Sequence, residues 1–259
     1  MPYVTMTGTM ARRMLVNWRI EPEAARRVLP GVVRPKLVDG YAIAGLCLVR
    51  LERMRLAYWP PWIGLASENV AARMGIEWDS PTGLRQGVLI FRRDTASRSN
   101  AFFGPHFGYG VHSPAAISVN TAPGRIDIAM ASGDGFHTAD LSASDAPAIM
   151  PGSLFGTLEQ AATFFRGGEC GYSPTDRPGH WHGVGLRLGR WDLVPMAIRR
   201  ARSSWIESWF GAAATLDSAF IMRNIEHTWR HIGSEEWGVA PPLSVPPARG
   251  VPIRQGVAL

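Results

Sequence analysis

The chain is almost without lysine. Lys36 is the only one among its 27 basic residues, in a length of 259. Chemistry through a lysine Schiff base would have to use Lys36 or the terminal amine. Cysteine is nearly as scarce: Cys47 and Cys170 stand far apart and form no motif. A disulfide framework is not expected, and both thiols read better as inert and buried than as nucleophiles. No apolar run approaches the ~20 residues of a membrane helix. Residues 1–20 mix Thr, Arg and Asn without an apolar h-region, so the expectation is a cytoplasmic protein with no signal peptide. There is no internal repeat.

What is present supports a packed domain. Hydrophobic residues make up 46% of the chain, enough for a real core. One domain is expected over 1–239. From Ala240 the pattern is lost and prolines gather (Pro241, Pro242, Pro246, Pro247, Pro252), which reads as an extended tail over 240–259. The net charge is +6 and the pI about 10. The arginines are scattered (Arg12, Arg13, Arg26, Arg27, Arg92, Arg93, Arg199, Arg200) and form no stripe, so no nucleic-acid partner is expected.

The patterning is that of many strands and few helices. Strands are expected over 12–20, 41–56, 66–78, 86–93, 116–131, 135–141, 181–188 and 216–227, with turn signals at Asp39-Gly40, 79–83 and 132–135. Glu21-Pro22-Glu23 opens a short helix to Leu29. A second helix is expected from an N-cap at Ser153, with Leu154, Leu158, Ala161, Ala162 and Phe165 on one face and Gly167-Gly168 at its end. The stretch 195–209 reads as helical or irregular. The sum is a mainly β (α+β) fold: a large antiparallel sheet, closed or strongly curled, with a few short helices.

Several constellations offer chemistry only weakly. His180-Trp181-His182 places two imidazoles on one strand face, but no acidic or thiolate partner sits at a recognisable spacing. His227 and His231 lack the intervening Glu of a zinc hydrolase. Neither a metal nor a cofactor is expected. Trp205 and Trp209, four apart, read as core packing. Trp59 and Trp62 flank Pro60-Pro61 in a loop that could cap a cavity mouth or meet a partner.

Four segments together resemble the acetoacetate decarboxylase-like superfamily, and within it the uncharacterised YqjF-like branch. They are Trp18-Arg19-Ile20-Glu21-Pro22-Glu23 with Leu29-Pro30, then Ser67-Glu68-Asn69-Val70-Ala71-Ala72-Arg73, then residues 87–98, then residues 216–229. In decarboxylases of this superfamily a lysine pair follows a Phe-Gly-aromatic-Pro segment. The matching stretch here is Phe107-Gly108-Tyr109-Gly110-Val111-His112, with Val111 and His112 where the lysines would be. Valine cannot form an imine, and imidazole forms none with a ketone. Lys36 lies in a Pro-Lys-Leu-Val-Asp-Gly turn and is read as solvent-facing.

The resemblance therefore implies a pocket for a small carboxylate or carbonyl compound without Schiff-base decarboxylation. Glu68 and His112 are the expected catalytic groups. Arg19, Arg73 and Tyr109 are the expected substrate-binding groups. The chemistry would be that of a lysine-independent lyase, hydratase or isomerase. The alternative is a non-catalytic small-molecule binding protein of the same fold, holding an apolar or anionic metabolite in the same cavity; against any ligand site stands a structural reading, in which Glu68 pairs with Arg19 or Arg73 to brace the barrel. The resemblance also implies a homo-oligomer.

Overall fold

The computed structural model describes residues 5–103, 111–175 and 177–239. Its strands are β1 (Thr5–Ile20), β2 (Arg34–Pro35), β3 (Leu37–Val38), β4 (Tyr41–Leu56), β5 (Leu65–Ser80), β6 (Gly83–Thr95), β7 (Ser113–Ala122), β8 (Arg125–Ser132), β9 (Thr138–Asp145), β10 (Cys170–Pro174), β11 (His180–Leu188), β12 (Val194–Ser203) and β13 (Ala214–Glu236). Its helices are α1 (Pro22–Arg26), α2 (Arg98–Phe103), α3 (Leu158–Arg166) and α4 (Ser204–Trp209). The proline-rich tail expected from Ala240 lies outside the described residues. Among the described residues no helix is long and apolar enough to cross a membrane.

All thirteen strands belong to one sheet. Among the described residues, only β6–β7 and β6–β10 pair in parallel; the other pairings are antiparallel. The pairings return on themselves twice. One circuit runs β13-β1-β4-β5-β6-β10-β11 and back to β13; the other leaves β6 through β7, β8, β9 and β12 to reach β13. Such circuits leave few free strand edges. The mainly β expectation holds, with a mixed rather than wholly antiparallel sheet.

The central strands β1, β4, β5 and β13 bury both faces. Successive side chains alternate, so Leu15 and Val16 enter different cores. One core joins Val16, Leu46, Leu48, Met74 and Ile221 to Ile126 and Met130 of β8. The other joins Leu15, Val49, Phe220 and Met222 to Phe164 and Phe165 of α3. Double-sided burial explains the unbroken apolar runs Leu46–Val49 and Ala219–Met222, which a half-exposed strand would interrupt with polar residues.

Turn chemistry sets several boundaries. Asp39 (φ 45°) and Gly40 (φ 83°) form the two-residue link from β3 into β4, where both central residues need positive φ. Pro123-Gly124 divides the single strand expected over 116–131 into β7 and β8; Gly124 takes φ 67°, as a turn with Pro first and Gly second requires. The cap of α3 is Thr157 in a full capping box with Gln160, not Ser153. Ser153 instead donates to Asp217 Oδ2 (3.0 Å) and accepts from Phe155 N. The stretch after Val194 is a strand until Ser203, whose hydroxyl accepts from Ile206 N to cap α4.

Candidate functional site

A cavity of about 500 Å³ lies against one face of β1, β4, β5 and β6, closed in part by α3 and β11. Its walls are mainly apolar, with Met10, Val49, Leu51, Ile90, Phe165 and Val184 among them. Arg13, Arg55, Arg73 and Arg93 project into this setting. Glu169 is the sole carboxylate among the described lining residues, and its Oε1 already accepts from Trp191 Nε1 at 3.1 Å.

The guanidiniums are held but not neutralised. Arg73 is 5% exposed; its Nη2 donates to Asn17 Oδ1 at 2.6 Å and its plane lies 5.2 Å from the Phe165 ring centre. Its Nε has no partner. Arg13, also buried, lies 5.2 Å from the Trp191 ring centre, with Nη1 unpartnered. Arg93 Nε donates to Ser173 Oγ at 3.1 Å; part of its surface stays accessible. Burial pulls Arg73 and Arg93 down to about 10, still well above neutrality, so both remain cationic at pH 7. Arg13 and Arg73, buried cations without counter-charges in an apolar cavity, with the half-buried Arg93 beside them, complement an anion with an apolar body.

The residues singled out from sequence do not all meet here. Arg73 and His112 line the cavity. Tyr109 lies outside the described residues. Arg19 is not among the lining residues: its Nη1 donates to Gly152 O at 3.1 Å, and it lies 5.9 Å from the Tyr41 ring centre. Glu68 occupies the opposite face of β5. Its Oε2 accepts from Arg12 Nη2 at 2.5 Å, and Arg50 Nη1 stands 3.9 Å from Oε1. Its partners are thus Arg12 and Arg50, rather than Arg19 or Arg73. Arg12, Arg50 and Glu68 are neighbours in one cross-strand row. Burial raises the Glu68 pKa, against the lowering pull of Arg12 and Arg50.

The other residues singled out from sequence have these surroundings. Lys36 is half-buried rather than solvent-facing: its Nζ donates to Gln86 Oε1 at 2.8 Å and lies 4.7 Å from the Phe164 ring centre. Burial lowers its pKa, but it lines neither this cavity nor its neighbour. Trp59 and Ile63 line the cavity, while Trp62, at 83% exposure, turns outward. His180 and His182 are drawn to different partners, Glu236 (3.3 Å) and Ser234 Oγ (3.0 Å). Among the described residues no group of three His, Cys, Asp or Glu side chains could hold a metal.

His227 is buried near Arg13. Burial first, and Arg13 second, lower its pKa from 6.5 to about 4. The folded state keeps this ring neutral while the unfolded chain protonates it near 6.5. Its effect is nil above that pH and destabilising as pH falls toward 4, reaching roughly 3 kcal/mol there. Urea midpoints are expected to fall over this window in the natural protein and to flatten in His227→Leu. An unchanged slope in that variant would assign the pH dependence to other groups.

The model of the DUF2071 family, described as an uncharacterized conserved protein (COG2071), matches residues 7–163. No curated protein matches the chain. Among solved structures, acetoacetate decarboxylase from Legionella pneumophila is similar at 8% identity, TM-score 0.57, covering 88% of this chain and 87% of that one. An acetoacetate decarboxylase-like enzyme from Sphingomonas wittichii RW1 is similar at 14% identity, TM-score 0.55, with 91% and 93% covered. The enduracididine biosynthesis enzyme MppR, complexed with pyruvate, is similar at 13% identity, TM-score 0.53, with 92% and 91% covered. At such identities the likeness is one of fold.

Proposed function

We propose that this chain, which belongs to the DUF2071 family and has the acetoacetate decarboxylase-like fold, binds a small organic carboxylate or carbonyl compound with an apolar body in the cavity bordered by Arg13, Arg73 and Arg93. The observation that carries this reading is the set of buried guanidiniums facing apolar walls without matching carboxylates. A ligand carboxylate would supply the missing charge and acceptors. That MppR, an enzyme of this fold, is seen with pyruvate supports the ligand class by analogy.

The chemistry assigned here avoids an imine. Val111 and His112 occupy the segment that resembles the decarboxylase lysine pair, and Lys36 is not among the residues that line the cavity. His112, on the wall, is the proton-transfer group of a lysine-independent lyase, hydratase or isomerase. Glu68 acts from outside, neutralising Arg12 and Arg50. The orientation of Glu68 also favours a second reading, non-catalytic binding, because it leaves His112 and Glu169 as the wall's acid–base groups. Exchange of ligand α-protons for deuterium, followed by NMR, separates the two. Catalysis predicts exchange that is lost in His112→Gln with affinity retained. Tight binding without exchange or turnover would leave the binding protein.

Glu68→Gln is expected to lower stability by about 1–3 kcal/mol, since the partly buried Arg12 loses its counter-charge while Arg50 keeps Glu52 at 3.2 Å. Carboxylate affinity should stay within about twofold, because the row faces away from the cavity. Abolished turnover in a folded Glu68→Gln variant would return Glu68 to the chemistry.

A further inference from the structure

Cys47, expected from sequence to be inert and buried, is half-buried and lines the first cavity. It sits on β4 in the middle of the sheet face that carries the arginines. Leu15, Cys47, Ala71 and Arg93 form one cross-strand row. Arg13, opposite Val49, belongs to the row on one side; Arg73, opposite Gly45, belongs to the row on the other. Opposed and diagonal neighbours on one face of an antiparallel sheet are within reach of long side chains. Ala71 and Gly45 are small and leave room for the guanidiniums to approach the sulfur. The closeness also shows electrostatically: burial lowers Arg73 and Arg93, and Cys47 pulls both back up.

The arginines mark the place of an anion independently of the thiol. Arg73 is 5% and Arg13 9% exposed, both line the cavity, and among the described residues neither has a carboxylate partner. Arg93 bonds through Nε to Ser173 Oγ and is half-buried, which leaves its Nη groups open. A second cavity, of about 470 Å³, borders the first and shares Ile90 and Arg93 with it. The charges there are already matched: Asp94 accepts from Arg92 Nε at 2.7 Å and lies 2.6 Å from His137 Nδ1, and Arg92 also meets Asp134. Arg93 is therefore free to serve the first cavity. A carboxylate seated among Arg13, Arg73 and Arg93 has the Cys47 sulfur as its neighbour on the cavity floor.

We propose that Cys47 is a nucleophile of the first cavity and adds to the alkene of an α,β-unsaturated keto acid whose carboxylate the arginines hold, an inference that rests on the carboxylate reading of that cavity. Sulfur is soft and polarisable and suits a conjugated alkene. The S–C bond forms at the alkene carbon β to the ketone. The π pair shifts to the carbon next to the ketone, which takes up a proton in place of the one the thiol releases. The product is a thioether; nothing is oxidised or reduced, and no group leaves. The arginines act by holding the alkene beside the sulfur.

The probe is trans-3-benzoylacrylate, a keto acid with one activated alkene, compared with its neutral amide. Both are added to the natural protein, and the adducts are located and timed by peptide mass spectrometry. Rates are normalised to those of free cysteine, which removes the intrinsic difference between acid and amide. Cys170, half-buried but absent from the cavity walls, is the internal control. The acid is expected to modify Cys47 at least roughly tenfold faster than the amide, the factor that one charge-assisted contact supplies. Cys170 should show no such preference. Octanoate should protect Cys47 from the acid, Arg73→Met should reduce the preference several-fold, and Cys47→Ser should remove the adduct. No adduct at Cys47, equal normalised rates for acid and amide there, or the same preference at Cys170 would overturn the proposal. Calorimetry with octanoate separates the two readings. Octanoate bound while Cys47 stays unmodified retires the thiol alone; no octanoate binding, with equal rates for the two probes, retires the carboxylate reading as well.

Discussion

Replacing Arg73 by methionine is expected to weaken carboxylate binding by roughly 100-fold while the protein stays folded. Arg73 is the most deeply held cation of the first cavity, fixed by Asn17 on one side and by the Phe165 ring on the other. That fixing removes the rotamer freedom a long side chain would otherwise lose on binding. Desolvation strengthens its attraction for an anion. Methionine fills much of the same volume and can keep the contact with Phe165. The folded state loses one hydrogen bond to Asn17 Oδ1, yet no longer has to bury an unmatched charge. Thermal stability without ligand should therefore change little. Calorimetric titration with straight-chain carboxylates of increasing length tests both parts. Affinity should rise with chain length as apolar wall is covered, until the cavity is full, and should fall for every length in Arg73→Met. Equal affinities in the two proteins would remove the anion site from this cavity.

Much of the fold was legible because the strands announce themselves. Tyr41–Leu56 was readable from Asp39-Gly40 and the apolar run that follows, and β5 and β6 from the turn between them. What failed was local. Pro123-Gly124 breaks a pattern that otherwise continues as alternation, and Ser153 looks like a cap although Asp217 claims its hydroxyl. That partner is 64 residues away, and no local window contains it.

The site was less legible, although part of it was available in the numbering. Glu68 and Arg73 are five apart on one strand, an odd spacing, so regular alternation sends them to opposite faces. Arg13 and Arg19 share parity, but six residues of strand separate them by about 20 Å. Arg13 had a signal of its own, a charge among residues that otherwise read as core. Arg93 and Asp94 had none, because a bulge between β5 and β6 shifts the register just before them. The pairing of Asp94 with His137 depends on how β6 meets the β8–β9 hairpin, which is tertiary information.

The largest stability loss is expected from Phe220→Ala, about 3–5 kcal/mol. Phe220 is fully buried on β13, opposite Leu15 of β1. Its ring lies 5.9 Å from Phe165 and 6.1 Å from Phe155, so it joins the sheet to α3 and to the segment before it. Helix α3 spans only Leu158–Arg166, too short to be stable alone, and depends on this packing. Truncation leaves a void that the surrounding strands, paired on both sides, cannot close. Phe220→Leu should cost less, since more of the volume is retained. The loss also reaches the cavity. Phe165 lies under Arg73 and forms part of its wall, so freeing it loosens the anchor without touching any charge. Urea unfolding should show the lower midpoint. Carboxylate titration of the still-folded variant should show weaker affinity with the requirement for Arg73 intact. A loss below ~1 kcal/mol would mean that α3 is held to the sheet by something other than this aromatic cluster.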